Sequence, residues 1–130
     1  MAAENQVPAE ARALLYRQIR TELLAHERGE LAEVYPVLSS FNATRDIAAA
    51  HHQQAQSLEP AIAACDQIEL ASPEWGAAFG HLLALVEQHV EEEEDHFFPK
   101  AQEVIDEERS KELLKRYEAA KLEAKSQLQS

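Results

Sequence analysis

Three observations predict an all-α fold, a bundle of three long helices plus a shorter C-terminal helix. Ala, Leu, Glu, Gln and Lys dominate the composition, and these are the strong helix formers. Apolar residues recur at spacings of three and four over long stretches. Three Gly, five Pro and 6% aromatics are too few for the turns and aromatic strands of a sandwich or barrel. The 130 residues suit a single domain over residues 1–130, and at 45% apolar they can build a real core.

Pro8 is a natural first-turn residue for the first helix, with Glu10 just behind it. Leu15, Ile19, Leu23, Val34, Leu38 and Phe41 form its apolar stripe, and two polar residues, His26 and Glu30, fall on that stripe. The helix is expected over about 8–40, bent or loosened near Pro36. Asn42 and Thr44 offer a cap for the second helix, with Asp46 in its first turn. That helix carries Ile47, Leu58 and Ile62, and Pro60 should kink or break it. The segment from Ile68 to Ser72 is ambiguous. Ser72-Pro73-Glu74-Trp75 reads as the start of a third helix: a Ser cap, Pro at the first position, then an acid. Its face presents Phe79, Leu82, Val86 and Phe97, again with a polar pair, His89 and Glu93; it passes Pro99 and fades near Glu107. A weaker amphipathic segment over about 109–128 turns Leu113, Tyr117, Ala120, Ala124 and Leu128 one way.

The balance of 12 basic against 24 acidic residues gives a formal charge of −12, which repels phosphate backbones and argues against nucleic-acid binding. No apolar run approaches the roughly 18 residues of a membrane span, and the N-terminus has no signal-peptide core. A lone cysteine, Cys65, excludes an intrachain disulfide framework and a multi-thiolate metal site. A cytoplasmic domain with no membrane partner is expected.

An internal repeat matters more than any helix boundary. Sliding the sequence by 63 residues matches His26 with His89, Glu30 with Glu93, Val34 with Phe97, Tyr35 with Phe98 and Pro36 with Pro99. In an up-down-up arrangement the first and third helices run parallel, so their polar pairs can meet at one level of the core. A His and a Glu at i and i+4 share one helix face. Burying such polar groups unpartnered costs roughly 2–7 kcal/mol each, and an isolated charge more. A metal ion held by imidazole nitrogens and carboxylate oxygens is the simplest common solution, and carboxylates can bridge two ions. Without thiolates, iron or manganese is favoured, with zinc possible.

A single HxxxE is usually a surface pair or a hydrogen-bonded core pair. The duplication, with Pro six residues after each Glu, selects His26, Glu30, His89 and Glu93 as ligands. The second helix adds His51 or His52. Neighbours on a helix diverge by about 100°, so one faces the ion, and His52 is narrowly preferred. His96, three residues after Glu93, could be an extra ligand, but a partly exposed residue near a helix end is the favoured reading; His81 reads as surface, and Glu91, Glu92, Glu94 and Asp95 as a solvated run. Glu27 adjoins His26 and could contribute a carboxylate, but the solvated reading is favoured; Cys65 reads as inert. Tyr35 and Phe98 are expected to roof the site in the core, with the Tyr35 hydroxyl in reach of a bound small molecule.

The stretches HERGELAEVYP and HVEEEEDHFFPKA, with HHQQAQSLEPAI between them, resemble the hemerythrin-like HHE cation-binding domains. The resemblance implies an up-down four-helix bundle with a non-haem di-iron centre. Carried over, the family's paired His and Glu fall on His26 and Glu30 and on His89 and Glu93, both glutamates bridging. Its intervening His falls on His52, or on His51 after a one-residue shift. One departure is that family members begin with a further helix bearing its own His, whereas only 25 residues precede His26 here and none is His. An open bundle side exposes apolar surface that finds a partner. Either the C-terminal segment fills the slot or two chains pair, and a homodimer is favoured.

The resemblance implies binding or sensing of O2, NO or peroxide, or iron handling. The alternative is a non-enzymatic interaction module with a degenerate or structural-zinc site. No GxSxG and no Gly-rich phosphate loop is present, which argues against a hydrolytic or nucleophilic enzyme.

Overall fold

A computed structural model of the chain describes residues 9–129, so the expected role of Pro8 lies outside the described residues. Four helical rods make up the fold. The first comprises α1 (Ala9–Gly29), a π-helical turn (Glu30–Val34) and α2 (Tyr35–Ser39). The second comprises α3 (Asn42–Gln56) and α4 (Leu58–Gln67), broken at Ser57 just ahead of Pro60. The third comprises α5 (Pro73–Glu92), a second π turn (Glu93–Phe97) and α6 (Phe98–Val104); the fourth is α7 (Glu107–Gln129). The all-α bundle expected from the sequence is the fold observed.

Both π turns have the same local cause. Proline lacks the amide hydrogen for an α-helical bond and its ring crowds the carbonyl four residues back. Just ahead of Pro36 and Pro99 the chain widens instead, and Tyr35 N–H bonds to the Glu30 carbonyl as Phe98 N–H bonds to that of Glu93. In an unbroken α-helix Tyr35, nine positions past His26, would lie about 180° away. The extra residue of the π turn brings it back to the inner face, where Tyr35 and Leu38 are buried.

The interior consists of two apolar halves. Tyr16, Leu23, Leu58, Ile62, Trp75 and Leu82 fill one, and Tyr35, Leu38, Ala48, Phe97 and Ile105 the other. Between them lie the buried polar residues Glu30, His51, His89 and Glu93. Trp75 is fixed by its indole N–H donating to the Cys65 carbonyl at 3.1 Å, and Tyr16 by donating to Asp66 at 2.7 Å.

Several local expectations are corrected. Leu15 is half exposed, and the adjacent Tyr16 takes its place in the core. Phe41, in extended conformation, is the capping position of α3, with no side-chain cap. Asn42 lies inside the first turn, while Thr44 is buried and donates to the Leu38 carbonyl at 2.6 Å. The first turn of α3 holds no acid, so Asp46 lies beyond it. Residues 69–72 form a turn, and Ser72 caps α5 by accepting from the Glu74 amide at 3.2 Å. Phe98 is exposed, and Phe97 is the fully buried member of that pair. The C-terminal helix packs antiparallel along α1 and turns Leu113, Tyr117, Ala120, Ala124 and Leu128 inward.

Candidate metal centre

Glu93 is the hub of the polar layer. Its Oε1 lies 3.1 Å from His26 Nε2, 3.0 Å from His51 Nε2 and 3.3 Å from His89 Nε2. Three rods therefore aim imidazole nitrogens at one carboxylate oxygen. Glu30 enters from the first π turn, with Oε1 in contact with His26 Nε2 and Oε2 3.7 Å from His51 Nε2. Donor atoms of His26, Glu30, His89 and Glu93 all lie within 4.8 Å of one another, a spacing that fits a metal ion. Each glutamate opens a π turn, a helical irregularity found often at functional sites.

Of the two candidates on α3, the structure brings His51 into the cluster and leaves His52 outside. His51 is 2% exposed and continues the buried line Thr44, Ala48, Ala55, Leu58. Its ring stacks on His89 at 4.3 Å and on Phe97 at 4.4 Å. His52 is half-buried and lies flat on Tyr35 at 5.1 Å. Small residues carry the inner face of α3, so a stripe read from Leu and Ile alone loses the phase. His96 and His81 are exposed, as are Glu91, Glu94 and Asp95.

Two further residues join the site, one that was expected to be solvated and one that was expected only to pack in the core. Glu27 is not solvated: its Oε1 is buried and lies 3.1 Å from His89 Nε2. The stripe rule conceals it, because Glu27 sits one position beyond His26 and is reached across the helix–helix seam. Tyr117 of α7 hydrogen-bonds His26 Nδ1. Its position on the inner stripe of a helix that docks on α1 was the available signal.

Electrostatically the layer is a set of carboxylates compensated by imidazoles. Burial works against a charged His26, but hydrogen bonds to Glu30 and Glu93 outweigh it and push its pKa up to about 10. His89 is pushed up to about 9: burial opposes the charge, and Glu27 and Glu93 overcome it. Burial raises Glu93, yet the three imidazoles dominate and hold its carboxyl well below the usual range. Glu30 moves up, chiefly because it is buried. Protons on His26 and His89 thus supply positive charge that an ion would otherwise provide.

The residues present fit a cation. Glu30 Oε2, His51 Nδ1, His89 Nδ1 and the Tyr35 hydroxyl are buried without a hydrogen-bond partner, which is costly unless another group satisfies the layer. A cation would satisfy Glu30 Oε2 directly, and all-N/O donors suit iron, manganese or zinc.

A cavity of about 330 Å³ ends at His26 and Glu30, walled mainly by Val34, Leu38, Phe97, Phe98, Leu113 and Leu114. A second groove, about 400 Å³, opens between α1 and α5 and reaches His26, His89 and Glu93. Among the described residues no helix is long and apolar enough to cross a membrane.

Searches of curated proteins and of solved structures return no match. A protein-family model does match, the hemerythrin HHE cation binding domain, over residues 1–101. That range contains every side chain of the polar layer and stops short of α7. With most of its length matched and its His/Glu cluster set between the two apolar halves of a helical bundle, the chain belongs to the hemerythrin HHE cation-binding domain family.

Proposed function

We propose that this chain holds a non-haem iron centre of the hemerythrin type that binds or senses O2, NO or a peroxide. The observation carrying this reading is the convergence of His26, His51 and His89 on Glu93 beside the buried, unpartnered Oε2 of Glu30. Three imidazoles with Glu27, Glu30 and Glu93 exceed what one ion with an open position needs, which supports two irons that these residues would hold. Bound iron would supply redox chemistry and an open coordination position.

The chain's own residues do the rest. Leu38, Phe97 and Leu113 line a mainly apolar approach to His26 and Glu30 that suits small neutral molecules. The Tyr35 hydroxyl is held protonated by burial and by the charges of Glu30 and Glu27, and it faces the Glu30 carboxylate without a well-formed hydrogen bond. It is therefore available as a hydrogen-bond donor to a bound ligand.

Metal content per chain, measured with an absorption spectrum, tests the proposal. About two irons with a near-ultraviolet charge-transfer band is the expected result. Zinc, or no metal after reconstitution with Fe2+, would favour the interaction module instead. A cytoplasmic location belongs to the same proposal. So does pairing of two chains: Leu15, Leu83 and Val90 are exposed along the groove between α1 and α5. Sedimentation should give a dimer, and a monomer would remove pairing from the proposal.

A further inference from the structure

The C-terminal helix lies outside the family match yet touches a candidate ligand. Tyr117 approaches His26 from the side opposite the carboxylates, hydroxyl to Nδ1, with the rings edge to face at 5.8 Å. Among the three clustered imidazoles, His51 and His89 bury Nδ1 without a partner. His26 alone has its outer nitrogen engaged.

The contact is built from both helices. Gly29 lies one turn beyond His26, and a Cβ there would sit 2.9 Å from Tyr117 Cε1, 3.1 Å from its Cδ1 and 3.4 Å from its carbonyl oxygen. The backbone of Gly29 is ordinary right-handed helix, φ −63° and ψ −43°, so its conformation does not call for glycine. A glycine inside a helix costs about 1 kcal/mol relative to alanine, and here its effect is to admit the tyrosine ring. Lys121 and Lys125, each a further turn along α7, both pair with Glu22, one turn before His26. Ala25 and Ala124 are buried in the same seam. The register of α7 on α1 is thereby fixed with Tyr117 opposite His26.

We propose that Tyr117 is a positioning residue of the metal centre, holding the His26 ring so that Nε2 is presented to the ion. The inference rests on the metal-centre reading above. A neutral imidazole carries one proton, and ligation through Nε2 requires that proton on Nδ1. The Tyr117 oxygen stands where it can accept it. Such outer hydrogen bonds orient ligating histidines, and their loss weakens metal affinity about 10–100-fold. The helix outside the family match thus contributes to the site.

The test is Tyr117→Phe in the full chain, which keeps the ring against Gly29 and removes only the hydroxyl. Titration with Co2+ should show affinity about tenfold weaker than the parent chain, with an altered visible absorption band. The melting temperature of the metal-free chain should fall by only the few degrees that one lost hydrogen bond explains. His26→Ala supplies the second arm: Tyr117→Phe added to it should change Co2+ affinity no further, because the hydroxyl acts through that ring. Parent-like affinity in Tyr117→Phe, or equal losses with and without His26, would overturn the proposal and leave the metal-centre reading standing. A parent chain that binds no Co2+ or Fe2+ would overturn both.

Discussion

Glu93→Gln replaces the hub carboxylate with a neutral amide of the same shape. In the parent chain that carboxylate meets three imidazole nitrogens at 3.0–3.3 Å and is itself only 5% exposed, so water cannot substitute for it. Breaking a buried ion pair by removing one partner costs about 3–5 kcal/mol. The His26 side chain is 27% exposed, which relieves part of that penalty and places the expected loss near the lower end, about 3 kcal/mol at neutral pH. This is about two orders of magnitude in the folding equilibrium. Urea melts of the metal-free protein measure the loss, and elemental analysis after Fe2+ reconstitution measures bound metal, which should fall to background. Glu94→Gln, on an exposed neighbour, is the control and should alter neither. A loss under about 1 kcal/mol, or full metal occupancy in Glu93→Gln, would refute the argument that this oxygen organises the site.

The pH dependence has opposite signs with and without metal. With His26 raised to about 10 and His89 to about 9, their contribution to metal-free stability is complete below about 6.5 and lost as pH rises through 9 to 10. Metal affinity instead falls with pH, because both rings must shed a proton; competition titrations should show up to two protons released per ion and bound metal lost below about pH 6. Gly29→Ala should displace the Tyr117 ring and weaken Co2+ binding, while urea stability stays within about 1 kcal/mol because the gain in helix propensity offsets the lost contact. Tyr16→Phe removes a 2.7 Å hydrogen bond to Asp66 and should cost about 1 kcal/mol in urea melts with metal content unchanged. Ala101→Leu narrows the cavity that ends at His26, and stopped-flow mixing of the reduced iron protein with NO should show slower binding at unchanged metal content.

Sequence periodicity was sufficient for the architecture because each rod is long and its apolar spacing repeats many times. The irregularities at Pro36 and Pro60 were legible too, since each proline removes an amide hydrogen; the third helix was expected to pass Pro99 unbroken, and the π turn Glu93–Phe97 ahead of that proline was not foreseen. The duplicated HxxxE was readable for a similar reason: i and i+4 share a face in any helix, and a polar pair on an apolar stripe demands compensation.

What eluded that reasoning depends on phase and on contact between helices. His51 and His52 differ by about 100° of rotation, and the small inner residues Thr44, Ala48 and Ala55 gave large-residue counting little to hold. Glu27 faces His89 only because α1 and α5 pack at that level. Tyr117 meets His26 across 91 positions of sequence, through a seam opened by Gly29. By itself the sequence determined the helices, the irregularities at Pro36 and Pro60 and two pairs of inward donors, because those follow from interactions within one helix. Only the tertiary structure decided which histidine of α3 completes the cluster and which side chain steadies His26, because those choices rest on distances between helices that no single-helix period encodes.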